Sequence, residues 1–165
     1  MNPASLASEQ GRFGQTLTFA LKGETFAVSI DSIKEIIEYP ELTAVPLMPS
    51  FLRGVMNLRG AVIPVIDLAA RFNLGAFEQG RRTCVVIFEV RAEDGQQHTL
   101  GMAVDMVNEV VDISPEQVDS APEFGASIPT EFIRGMLRLG TKIVVLIALD
   151  KVLSIEHLES LMIPQ

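Results

Sequence analysis

Apolar and polar residues alternate along much of this chain, in short runs separated by turn residues. Gln15 to Leu21 alternates and predicts a strand, Lys22-Gly23-Glu24 a hairpin turn, and Thr25 to Ile30 the return strand. The same plan recurs later: Thr83 to Val90 predicts a strand, Arg91 to His98 a longer turn centred on Asp94-Gly95, and Thr99 to Val104 the return. Ala61 to Ile66 is a further apolar strand, Leu68 to Phe72 a short helix, and Asn73 to Arg82 a connection. Glu38 to Ser50 carries Pro40, Pro46 and Pro49, and Asp112 to Thr130 carries Pro115, Pro122 and Pro129. Proline cannot donate to a β-ladder, so both stretches read as irregular, with at most short edge strands. Asp150 to Met162 differs, with apolar residues at 152, 153, 155, 158, 161 and 162. That is helical spacing and predicts a C-terminal amphipathic helix packed on the rest. Residues 1–13 are small, polar and aperiodic and read as a mobile tail. Short strands with regular turns point to small barrels rather than βαβ units.

The chain also nearly repeats itself. Phe51-Leu52-Arg53-Gly54-Val55-Met56-Asn57-Leu58 returns 81 residues later as Phe132-Ile133-Arg134-Gly135-Met136-Leu137-Arg138-Leu139. Both copies run into an apolar strand, Ala61 to Leu68 and Lys142 to Leu149. Upstream, Phe26 to Ile37 matches Leu100 to Val111 at an offset of 74, so that Asp31 and Glu35 meet Asp105 and Glu109. The offsets differ by seven residues, and the longer loop of the second copy, Asp112 to Glu131 against Glu38 to Ser50, absorbs them. Two copies are too few for a solenoid and imply two similar lobes with a cleft between them.

With 165 residues the chain is one domain, or two very small lobes sharing a core. The longest unbroken apolar run, Ile143 to Leu149, has seven residues, against the roughly 20 a membrane-spanning helix needs. No secretory signal is visible at the N-terminus, and the lone cysteine, Cys84, fits a reducing cytoplasm and reads as a buried, inert thiol. The net charge is −8, and the nine Arg and four Lys are scattered, with only Arg81-Arg82 adjacent. That opposes a nucleic-acid or anionic-membrane surface and is compatible with protein partners.

Candidate chemistry is sparse. His98 in a turn and His157 on a helix stand apart from any ligand-like spacing, and no metal site is expected where three or four ligands are required. No phosphate loop, nucleophile elbow or kinase signature occurs, and no cofactor is expected. Gly54 and Gly60 frame the first matched block, Gly135 and Gly140 the second. They are either turn residues with positive φ or places where another backbone comes close, and the two uses are compatible. Among the charges, Glu35 stands in the apolar setting of Ile30, Ile33, Ile36 and Ile37, and Arg59 precedes the strand that starts at Ala61. They are either two solvated charges or a pair that fixes a surface for a partner.

The block from Phe51 through Arg59-Gly60 to Asp67-Leu68 resembles the CheW-like family, the adaptors of bacterial chemosensory arrays. The resemblance runs from about Gly14 to Met162 and keeps hairpin, proline loop, Arg-Gly block and the Ala121-Pro122-Glu123-Phe124 motif in order. It implies a mainly β fold of two intertwined, five-stranded SH3-like barrels with short helices, a C-terminal helix and a hydrophobic groove between the lobes. The expected division is a tail over 1–13 and a single domain over 14–162. Its first lobe covers about 14–72 plus part of the C-terminal segment, its second about 82–149, and its last helix about 150–162.

The resemblance further implies an adaptor with no enzymatic activity and no cofactor, coupling the cytoplasmic tips of methyl-accepting chemoreceptors to the regulatory domain of a CheA-type histidine kinase. Such a protein is cytoplasmic and recruited to membrane-associated receptor arrays, without membrane insertion or nucleic-acid binding. Carried over residue by residue, the acid of the family's first helix falls on Glu35 and its arginine partner on Arg59. Receptor contacts fall on Ile33, Ile36, Arg53, Gly54 and Asn57, with Gly101 and Asp105 near the groove in the second lobe. A scaffold of a pilus or second-messenger pathway is the alternative. A small-barrel nucleic-acid binder is opposed by the charge, and an enzyme using the cleft by the missing catalytic constellation.

Overall fold

The computed structural model describes residues 14–47, 49–75, 78–91, 95–120 and 128–152. These form eleven strands in two sheets, with short helical turns between them. In chain order the strands are β1 (Gln15–Leu21), β2 (Glu24–Ser29), β3 (Ile33–Glu38), β4 (Leu52–Leu58), β5 (Ala61–Asp67), β6 (Cys84–Arg91), β7 (Gln97–Val104), β8 (Met106–Asp112), β9 (Val118–Asp119), β10 (Ile133–Leu139) and β11 (Lys142–Ile147). Two single-turn helices, α1 (Leu68–Arg71) and α2 (Leu149–Val152), follow β5 and β11. The Asp67 side chain caps α1, accepting from the Ala70 amide at 3.1 Å.

The internal repeat is structural. One sheet has the order β3-β6-β7-β5-β4, and the other β8-β1-β2-β11-β10-β9. Replacing each strand of the first sheet by its sequence counterpart gives the second, with β9 added at the edge. The matched parallel pairs share a register: Val65 lies opposite Gly101, and Leu146 opposite Ala27. Even β9 has a reduced counterpart, a single bridge from Thr43 to Val55.

Each hairpin joins the sheet of the other copy. The first copy places β1 and β2 with β8, β10 and β11, while β6 and β7 of the second complete the sheet of β3, β4 and β5. The expected lobe limits therefore do not coincide with the sheets, because residues 14–72 are shared between both. The burial pattern explains the exchange. Val86 and Phe88 on β6 face a core shared with Leu17, Phe19, Leu21 and Phe26. Their neighbours Val85 and Ile87 face a second core, inside the first lobe, with Met56, Ile63 and Val65. A third core, inside the second lobe, uses the counterparts Leu137, Val144 and Leu146. A hairpin buried on both faces must be apolar on both, as the run Val85-Val86-Ile87-Phe88 is.

Several expectations need correction. Glu35 lies on strand β3 and not on a helix; the helical turn there is limited to Ile30–Ser32. The β-branched run Ile33, Ile36, Ile37 favours an extended backbone. His98 belongs to β7 rather than to a turn, since the ladder opposite Val90 and Arg91 extends to Gln97. The tail over 1–13, the Ala121–Phe124 motif, His157 and all of the C-terminal helix beyond Val152 lie outside the described residues.

Candidate functional site

Glu35 and Arg59 form a bidentate ion pair. Arg59 Nη1 donates to Glu35 Oε2 at 2.6 Å and Nη2 to Oε1 at 2.9 Å. Local backbone chemistry builds this contact. Arg59 and Gly60 have φ of 51° and 91°, the two left-handed residues of a tight hairpin between β4 and β5. Asn57 Oδ1 accepts from the Gly60 amide at 3.0 Å and closes the turn. The turn carries the guanidinium to β3, an outer strand of the same sheet. Both groups meet solvent, with side-chain exposures of 69% for Arg59 and 25% for Glu35. The hydrogen bonds from Arg59 hold the Glu35 carboxyl below its ordinary value, against a smaller opposing effect of desolvation. They raise the guanidinium in turn.

Strands of the same sheet also expose apolar groups. Ile36 is 43% exposed on β3, and Val62, directly opposite Asn57, is 69% exposed on β5. Arg53 and Asn57 are exposed on β4, on either side of the buried Gly54 and Met56. The first lobe thus brings Glu35 and Arg59 together beside Asn57.

The remaining expected residues are placed differently. Ile33 packs partly buried against the shared core. Gly54 is buried with φ of 151°, and a Cβ there would lie 2.5 Å from the Thr43 carbonyl oxygen. Gly101 is buried between Val85 and Val65 and offers no surface. Asp105 sits at the bend between β7 and β8, where Oδ2 accepts from the Lys22 amide at 2.7 Å and ties down the β1–β2 turn. These four serve the fold that presents the site.

A trough runs around the helical turn Ile30–Ser32. One part, about 650 Å³, is lined by residues including Ser29, Asp31, Arg134 and Asp150. The other, about 490 Å³, shares Asp31 and Ser32 and adds Ile33, Lys34, Glu89 and Arg91. Lys34 and Glu89 are 3.4 Å apart across it. The first part is also lined by apolar Val28, Ile147, Ala148 and Leu149, whereas the second is mainly polar. The most exposed apolar residues of the strands, Ile36 and Val62 in the first lobe, lie on the strand faces and not in this trough.

Those faces are duplicated. The counterpart of Ile36 is Val110, 46% exposed, and that of Val62 is Ile143, 56% exposed. Sequence reasoning missed Val62, Val110 and Ile143, although the repeat matches each to an apolar residue at the equivalent position of the other copy. The ion pair is not duplicated, because Gly140 stands where the first copy has Arg59. Among the described residues no group of three His, Cys, Asp or Glu is placed to hold a metal ion, and no helix is long and apolar enough to cross a membrane.

Comparison with known proteins places this architecture. A sequence model of the CheW-like domain matches residues 15–157. The chemotaxis protein CheW of Klebsiella aerogenes is 32% identical over 160 residues, covering 94% of this chain and 93% of that protein. The chemotaxis protein CheW of Treponema pallidum is 31% identical, covering 89% and 86%. The crystal structure of the scaffolding protein TtCheW from Thermoanaerobacter tengcongensis superposes with a TM-score of 0.73 at 29% identity, covering 82% of this chain and 89% of that one. With the repeated sheets, the exchanged hairpins and a family match over most of its length, the chain belongs to the CheW-like domain family.

Proposed function

We propose that this chain is a non-enzymatic adaptor that couples the cytoplasmic tips of chemoreceptors to the regulatory domain of a CheA-type histidine kinase. The observation that carries the reading is a bidentate ion pair at the surface of the first lobe, Glu35–Arg59, on a sheet whose strands β3 and β5 also expose Ile36 and Val62. Exposed apolar strand residues together with a fixed ion pair suit recognition of an amphipathic helix, which a receptor tip supplies. The names of the relatives, chemotaxis proteins and a scaffolding protein, support the same reading.

Two lobes with matching faces give such an adaptor a second contact. A kinase domain held by one lobe and a receptor by the other raise each other's local concentration, so individually weak contacts add up in an array. Glu35 with Arg59 and Lys34 with Glu89 are each held in ion pairs near the surface, an arrangement for contact rather than proton transfer. In this reading the protein works in the cytoplasm, is recruited to membrane-associated receptor arrays, and needs no cofactor.

The test is phosphoryl transfer to the kinase histidine, measured with and without this protein and with and without receptor tips. Stimulation is expected only when all three are present. Binding to neither a receptor tip nor a kinase regulatory domain from the same cell would overturn the reading.

A further inference from the structure

Arg71, at the end of α1, is the counterpart of Val152 at the end of α2. Its Nε–H donates to the Val152 carbonyl oxygen at 3.2 Å, so the side chain of one half bonds the backbone of its own counterpart. The guanidinium carbon also lies 4.9 Å from the centroid of Phe51 and 4.7 Å from that of Phe132. Those rings are counterparts too. Phe51 leads into β4 of one sheet and Phe132 into β10 of the other. Each has its carbonyl held by the strand or turn beyond, from the Asp67 amide at 2.6 Å and the Ala148 amide at 2.8 Å. One cation therefore touches the entry segment of both lobes and the last turn of both short helices.

We infer that Arg71 is a positioning residue that fixes the angle between the two lobes, and through it the transmission of receptor state to the kinase. The first half follows from the geometry alone; the second rests on the adaptor reading above. The shared apolar core resists separation of the lobes, but apolar attraction is non-directional and constrains rotation less than it resists opening. A planar guanidinium facing two rings, with one N–H aimed at a carbonyl, is directional. The copy supplies no substitute, since Val152 has no donor in its side chain.

The experiment places spin labels at the counterpart positions Ala61 and Lys142, both exposed, in a Cys84→Ser background. It compares the inter-lobe distance distribution in the full chain, Arg71→Ala and Arg71→Lys. Both variants are expected to broaden the distribution, with the melting temperature lowered by about 2–4 °C. Binding of an isolated receptor tip and of an isolated kinase regulatory domain is expected to stay within about twofold of wild type, while receptor-dependent kinase stimulation falls at least about fivefold. A merely structural residue would lower binding and stimulation together. Distance distributions unchanged from wild type in the folded variants would overturn the inference. If Arg71→Ala does not fold, Arg71→Lys decides, because it keeps the charge and aliphatic stem but not the planar group. Should the wild-type protein stimulate no kinase, the adaptor reading fails, while the distances still decide what Arg71 does.

Discussion

Gly54 and Gly135 occupy the same place in the two halves: each follows a register shift at the start of its strand and faces the backbone of a crossing segment. Their tolerance to substitution should nevertheless differ. At Gly54 a Cβ would meet the Thr43 carbonyl oxygen at 2.5 Å, and φ of 151° disfavours a side chain. At Gly135 the closest atom is a movable Val118 methyl at 2.7 Å, followed by the Asp119 carbonyl oxygen at 2.9 Å, and φ is not positive. Gly54→Ala is expected to cost about 3 kcal/mol or more, and Gly135→Ala about 1–2 kcal/mol. Thermal melts of the two variants check the order; equal losses would mean that the crossing segments yield equally.

Much of this was legible in the sequence. The repeat gave paired blocks, and Gly54, Gly135 and the two apolar strands fall on matching positions. The hairpin exchange was less visible, because a one-dimensional repeat does not say which copy completes which sheet. Its trace is the run Val85 to Phe88, which lacks the alternation of a half-buried strand. The contact between Glu35 and Arg59 was readable only as two candidates, since 24 residues separate them and the hairpin turn decides the distance. Arg71 gave no signal at all. A lone arginine after two alanines looks like a solvated helix end, and only tertiary packing puts Phe51 and Phe132 beside it.

Ile33 and Ile36 are three residues apart but should respond differently to a charge. Ile33 packs on the shared core, so Ile33→Asp buries a carboxylate beside apolar groups and is expected to cost about 3 kcal/mol or more. Ile36 is exposed, so Ile36→Asp should change stability by less than about 1 kcal/mol. The same change puts an ion on the proposed receptor face, where binding of a receptor tip should fall at least about tenfold. Circular dichroism melts and a titration with a receptor-tip fragment separate the two effects. Unchanged tip binding in Ile36→Asp would remove this face from the proposed receptor site.

Cys84 begins β6, half-buried, and burial raises its thiol above the ordinary range despite a backbone hydrogen bond at Val107 that acts the other way. At neutral pH the thiolate is the reactive form and is scarce at such a site. Alkylation by iodoacetamide at pH 7.5 should be slower than that of a free model thiol, and should recover when the chain is unfolded in denaturant. A native rate equal to the unfolded rate would show that β6 opens readily at its start.

The Glu35–Arg59 pair sets a pH window. Hydrogen bonds from Arg59 lower the folded carboxyl below its ordinary value of 4.5. A depressed carboxyl contributes above its unfolded value, and that contribution is lost as pH falls through the lower, folded value. Between pH 5 and 7 the pair should therefore stay intact, and receptor-tip binding should not vary on its account. Because both groups meet solvent, Arg59→Ala should move the melting temperature little. Its mark should instead be on the titration of Glu35 itself, followed by the carboxyl carbon shift in NMR. In the wild-type protein the midpoint should fall below the ordinary glutamate range, and in Arg59→Ala it should rise back toward it. Glu35→Lys should weaken receptor-tip binding while leaving the fold intact, since it sets two cations side by side on the contact face. Identical Glu35 midpoints with and without Arg59 would show that the pair does not persist in solution, and its role in shaping the receptor face would fall with it.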